Sequence, residues 1–254
     1  MQKAGPSLSP LHAARIREII TAHGGLAHWR LLATIELELS ASGFLFAYKR
    51  IPVMQHVRVV VNTQTPQVTF HDYPSIGKVT RFLGEHLVQI EDASGKVLQS
   101  REHPRAMFSH WCRFFHWDAL DFAYFGGYAF WNYVATPFLL TNQAVKVEES
   151  ADDTASKLTK FTVIFPEHFP THSQQQAFYF NQAGQLHRLD YTTEVLGTWA
   201  NAAHFCEDYK TFFGLSLPTK RRVYPKLIGN HPFKAITMVA VDIHSVTLRY
   251  VNAI

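Results

Sequence analysis

Apolar residues recur in two periods along this chain, and the points where one period gives way to the other divide it into elements. Leu11, Ala14, Ile16, Ile19, Ile20 and Ala22 form a stripe opposite Arg15, Arg17 and Glu18, which predicts an amphipathic helix over 10–23. Ser9-Pro10 starts it, with a hydroxyl for a free amide and a proline where no amide is needed, and Gly24-Gly25 stops it. From Ile35 the period falls to two: Ile35, Leu37 and Leu39 alternate with Glu36, Glu38 and Ser40, and the pattern resumes at Phe44, Phe46 and Tyr48. Further strands are predicted at 57–62, 67–71, 78–82, 86–90 and 97–101, separated by turn residues such as Asn62-Thr63 and Asp92-Ala93-Ser94-Gly95.

His103-Pro104 opens a helical stretch towards Phe115, and Asp118 caps a second towards Trp131, which Pro137 prevents from continuing beyond Thr136. Strands return at 144–149, 158–165, 176–180, 185–194, 215–224 and 236–248, with a helix predicted over 198–211. The arms at 178–190 make the clearest hairpin. Strand following strand is a meander of hairpins, and about a dozen antiparallel strands exceed a comfortable flat sheet. The expected fold is therefore mainly β (α+β): a single strongly curved antiparallel sheet forming a half-open β-barrel, with the N-terminal helix and central helices covering or filling its concave face. No stretch rich in glycine, serine or proline divides the chain, and the polar gap at 148–157 is only a hairpin loop, so 1–254 reads as one domain with a flexible tail at 1–9.

Composition sharpens this picture at one place. The segment Trp117–Leu140, WDALDFAYFGGYAFWNYVATPFLL, holds two formal charges in twenty-four residues. So much aromatic surface needs cover from the sheet, a partner or a greasy ligand. Asp118, Asp121, Gly126-Gly127, Asn132 and Pro137 interrupt it as a membrane span, so no stable membrane insertion is expected. A net charge of +4 without a basic stripe argues against nucleic acid, since Lys220-Arg221-Arg222 reads as a strand edge or a turn. Cys112 and Cys206, both beside aromatics, read as buried free thiols. The first twenty residues carry no apolar run of signal-peptide length, and a cytoplasmic location is the resulting expectation.

Candidate chemistry is sparse. No G-x-S-x-G elbow, phosphate-binding glycine loop or HExxH pair occurs, and no cofactor or metal is expected. The loop FPEHFPTHS places His168, Thr171, His172 and Ser173 between strands, either as a polar locus or as a surface loop with incidental histidines. On the strand at 185–194, a buried Asp190 would need Arg188 or a cross-strand donor; the simpler reading is an exposed face of Arg188, Asp190 and Glu194, with Tyr191 pointing inward. His204 and Asp208 share a face of the predicted helix at 198–211, one ligand short of the usual zinc set. Asp118 and Asp121 suit a helix start without acid–base duty.

The leading expectation is non-enzymatic binding of a small hydrophobic or amphipathic molecule in the half-barrel, with Trp117, Tyr124, Tyr128, Trp131, His172 and Tyr191 as its ligand-binding residues. An enzymatic alternative uses His172 or His204 as general base, oriented by Asp190 or Asp208. A third reading makes the aromatic patch an interface, with a homodimer burying Trp117 or Trp131.

The opening helix, Gly24-Gly25-Leu26-Ala27-His28-Trp29-Arg30 and the alternating strand after it resemble the LolA-like lipoprotein-localisation superfamily, with the motif confined to residues 11–41 and the layout similar across most of the chain. That resemblance implies an unclosed barrel whose hollow face is covered by helices and binds acyl chains or similar apolar ligands. The segments at 117–133 and 169–176 also resemble a bacterial protein group that carries WDxLDxxYFxGYAxWNY and FPTHSxxQ, a resemblance that implies no activity.

Overall fold

The computed structural model describes residues 10–150 and 157–251, so the cap expected at Ser9 and the tail at 1–9 lie outside the described residues. Helix α1 (Pro10–Ala22) is followed by α2 (Leu26–Leu31), the long strand β1 (Leu32–Ser42) and the short helix α3 (Phe44–Lys49). A meander comes next: β2 (Met54–Asn62), β3 (Gln67–His71), β4 (Lys78–Leu83), β5 (Leu87–Asp92) and β6 (Val97–Glu102). Two 3-10 turns lead to α4 (Ala119–Ala135). The second run of strands is β7 (Lys146–Glu149), β8 (Thr159–Ile164), β9 (Gln175–Phe180), β10 (Leu186–Thr192), β11 (Asn201–Phe212), β12 (Leu215–Pro225) and β13 (Val239–Tyr250).

All thirteen strands among the described residues belong to one sheet, in the order β6-β5-β4-β3-β2-β1-β13-β12-β11-β10-β9-β8-β7. Each of the two runs is a hairpin meander, and they meet where β1 pairs antiparallel with β13, Ile35 opposite Leu248. The ends β6 and β7 do not pair, so the barrel is open.

Its curvature follows from α4. At one end of this helix Asp121 pairs with Arg101 of β6 at 2.7 Å, and near the other the Tyr133 carbonyl accepts from Arg221 of β12 at 2.5 Å. Strands β6 and β12 stand seven steps apart in the sheet order, about 34 Å if it were flat. The two helix residues lie only about 18 Å apart along the axis, so the helix touches both strands because the sheet curves around it. Residues 120–135 of α4 are accordingly buried on every side. Phe122 and Phe130 pack on Phe70 of β3, and Gly127 lies so close to β4 that a Cβ there would sit 2.2 Å from that of Phe82. The helix begins with a reciprocal cap, Asp118 accepting from the Asp121 amide and Asp121 from the Asp118 amide, both at 2.9 Å. Among the described residues, no helix is long and apolar enough to cross a membrane.

Five expectations are corrected. The alternation at Phe44, Phe46 and Tyr48 belongs to α3, because Gly43 turns the chain at φ 131° against the Met238 carbonyl, where a Cβ would lie 2.5 Å away. The stretch 198–211 is mostly strand β11, whose residues 202–206 are buried on both faces, and this double burial hides the alternation that marks a half-exposed strand. The stretch 103–115 forms two 3-10 turns, Pro104–Ser109 and Trp111–Phe114. Cys112, on the second, is exposed, whereas Cys206 is buried. Asp190 is buried, because residues of the 226–234 segment cover the outer face of β10: Arg188 bonds Asp190 at 2.6 Å and also reaches the Asn230 carbonyl, and Lys226 lies 3.2 Å from Asp190.

Candidate functional site

Between α3, α4 and the inner face of β10–β13 the filling is incomplete and leaves a chamber of about 400 Å³. Phe125 and Tyr133 of α4 form its inner wall, Leu45 and Lys49 of α3 one side, and Tyr191, Ala202, Val223 and Val239 the sheet side. Its mouth is ringed by half-exposed or exposed aromatics: Phe44 stacks on Tyr48 at 5.8 Å, Tyr48 meets Phe114 at 6.4 Å, and Phe114 meets Trp199 at 6.0 Å.

His172 and Tyr191 reach this chamber by different routes. Tyr191 points inward by alternation along β10, opposite to Asp190. His172 comes from the loop between β8 and β9, where Thr171, His172 and Ser173 are buried while His168 stays exposed. The loop is drawn inward by α4: the Asn132 amide donates to the Pro170 carbonyl at 2.6 Å, and the Tyr128 hydroxyl and His172 Nδ1 share a hydrogen bond of 3.2 Å. The other ring nitrogen, Nε2, is buried and has no hydrogen-bond partner among the described residues. Burial, with the charge of Arg105 adding to it, lowers this imidazole to about 3. It is neutral at ordinary pH and a weak base.

Tyr124, Tyr128 and Trp117 stand behind the chamber wall. Tyr124 donates to Glu85 at 3.2 Å and receives a bond from Arg105. Trp117 packs on Phe125 at 4.9 Å and underlies the Lys49 ammonium, 5.1 Å from its ring. Trp131 lies elsewhere, in a more open groove of about 480 Å³ with Trp29, Phe138 and Phe169, its indole donating to the Asn62 carbonyl at 3.1 Å.

The second histidine, His204, is buried on the inner face of β11, with Nε2 3.4 Å from Arg221 and its ring edge on Tyr133. Burial and the Arg221 charge lower its pKa well below the usual imidazole value. Asp208, four residues along, is exposed and accepts from Thr219 at 3.1 Å. The His204–Asp208 and His172–Asp190 pairs are therefore not brought together, and neither imidazole has a carboxylate at bonding distance among the described residues. No cluster of three or more His, Cys, Asp or Glu among these residues is placed to hold a metal.

Lys49 escapes a reading of the sequence. The alternation from Phe44 puts it on the wet side of a strand, whereas one turn of helix sets it beside Leu45 and buries it to 1% exposure. Its ammonium donates to the Arg113 and Phe114 carbonyls at 2.8 and 2.5 Å and lies over the rings of Tyr48, Phe114 and Trp117. Burial lowers it to about 8, partly opposed by the charge of Asp121.

No family model and no curated protein matches the chain. Among solved structures it is similar to a LolA superfamily protein from Nitrosomonas europaea, 10% identical over 94% of each chain with a TM-score of 0.49. It is also similar to a DUF1329 family protein from Desulfovibrio piger, 10% identical over 93% of this chain and 92% of that one, with a TM-score of 0.47.

Proposed function

We propose that this protein binds and carries a small hydrophobic or amphipathic molecule in the chamber between α3, α4 and β10–β13, without catalysing its conversion. The observation that carries this reading is the chamber itself: about 400 Å³, walled mainly by apolar and aromatic side chains and opening through an aromatic ring. That volume lies within the range of small-molecule sites, in which apolar walls supply affinity and a few polar groups set orientation. Tyr191 and His172 would supply polar edges along the inner wall. Trp117, Tyr124 and Tyr128 would act from behind it, by fixing Phe125 and His172, and Trp131 would take no part. Binding is favoured over acid–base catalysis because His172 is neutral, a weak base and without an orienting carboxylate.

Native mass spectrometry of gently purified full-length protein, followed by denaturation and analysis of what is released, tests this. A stoichiometric organic adduct is the expected result. A clean apo mass from protein that also fails to take up an added apolar fluorophore would overturn the proposal.

A further inference from the structure

We infer that Lys49 anchors the charged end of the chamber's ligand, and that this ligand is an amphiphile with a single carboxylate head. The inference rests on the carrier reading above and names the class of molecule carried.

Charge on the chamber wall is one-sided. Among the described residues no aspartate or glutamate lines it, whereas two lysines do, Lys49 and Lys226. The Lys226 ammonium lies 3.2 Å from Asp190 and is already matched. Lys49 has no carboxylate within 4.0 Å among the described residues. Its two carbonyl acceptors use two of the three N–H groups of an ammonium and leave one. Buried charges are ordinarily paired, and three aromatic faces stabilise a cation without neutralising it. The missing partner is an anion, and Tyr48 and Phe114, which flank the ammonium, also line the chamber.

One positive charge and one remaining donor suit a carboxylate. A phosphate dianion would bring a second charge and more acceptors than this end of the chamber can satisfy. The other ionisable side chains on the wall are Tyr48, Tyr133, His172, Tyr191, Tyr224 and Lys226. Behind it stand Asp121 and Arg113, which are paired with each other at 3.0 Å. Burial holds free Lys49 at about 8, so carboxylate affinity should fall as pH rises past that value while affinity for a neutral amphiphile stays level.

The test measures binding of dodecanoate, 1-dodecanol and dodecyl phosphate to the full chain by tryptophan fluorescence at about pH 7 and about pH 9.5, and repeats it on Lys49→Met. The expected result is a preference for dodecanoate over the alcohol of about tenfold or more at the lower pH. That preference should shrink at the higher pH and vanish in the variant. Equal binding of acid and alcohol at pH 7 overturns the anchor and leaves the carrier reading standing. Tighter binding of dodecyl phosphate overturns the carboxylate assignment. If none of the three binds, the carrier reading itself fails. Should Lys49→Met not fold, the comparison of the two pH values on the unaltered protein decides.

Discussion

The imidazole of His172 and the ring of Tyr191 lie parallel, 2° from coplanar alignment with centroids 4.0 Å apart. This stacking, with the bond to Tyr128, holds a neutral imidazole against the chamber. Its folded pKa of about 3 lies below the unfolded value, so between roughly pH 6.5 and 3 the unfolded chain binds the extra proton. Stability should therefore be lost as pH falls through that window, by about 1.4 kcal/mol per pH unit for this ring, and His204 acts in the same direction. Urea unfolding at a series of pH values should show the slope, and His172→Phe should reduce it. An unchanged slope in that variant would contradict the assignment.

At Gly127 the intrinsic helix preference and the packing point in opposite directions. Alanine would favour the helix by up to about 1 kcal/mol. Its Cβ, however, would lie 2.2 Å from the Phe82 Cβ, an atom that no rotamer change of that side chain can move away. Gly127→Ala should be net destabilising by about 1–3 kcal/mol, read from the denaturant midpoint.

Asp121 lies between Arg101 and Arg113 with no exposure, and also caps its own helix. Asp121→Ala should cost about 2–3 kcal/mol, because two half-buried guanidinium groups are left to share Asp118 alone and the helix loses half of its cap. Asp118 is more exposed; burial raises its pKa, but bonds from Arg101 and the Asp121 amide and the charges of Arg101 and Arg113 outweigh this and bring it to about 2. Asp118→Ala should cost less, about 1–2 kcal/mol, mostly through the cap. Chemical denaturation of both variants gives the order.

Ala202 faces the chamber from β11, so a larger side chain there projects into free volume. Ala202→Phe should weaken uptake of an apolar fluorophore by about tenfold or more, with a melting temperature close to the parent's. Undiminished uptake would place the binding site elsewhere.

Strands with one wet face were legible in the sequence: β3 carries the boundaries that its alternation predicts, and α4 starts at the Asp118 cap and ends before Pro137. Segments wet on neither face were not. Ala202 to Cys206 show no alternation because both faces of β11 are covered, and their small residues mimic a helix. For the site, Tyr191 was legible because a period of two fixes its side of the sheet. Lys49 was not, because its position depends on Gly43 meeting Met238, almost two hundred residues away in the chain. For Asp190 the sequence pointed to Arg188 as the partner it would need if buried, but not to the burial itself, because what covers it is the 226–234 segment, which no local pattern in β10 announces.

The pairing of β1 with β13 also bears on biosynthesis. The strand at the middle of the sheet order, Val239–Tyr250, is translated after the other twelve strands described in this sheet. Until it emerges, the growing chain holds two separate meanders, each with an unsatisfied inner edge on β1 or β12. Closing the gap requires contacts across some two hundred residues, the kind of long-range pairing that folds slowly and leaves edges open to other chains. A nascent chain stopped short of residue 239 would therefore be a natural client for a chaperone that shields strand edges.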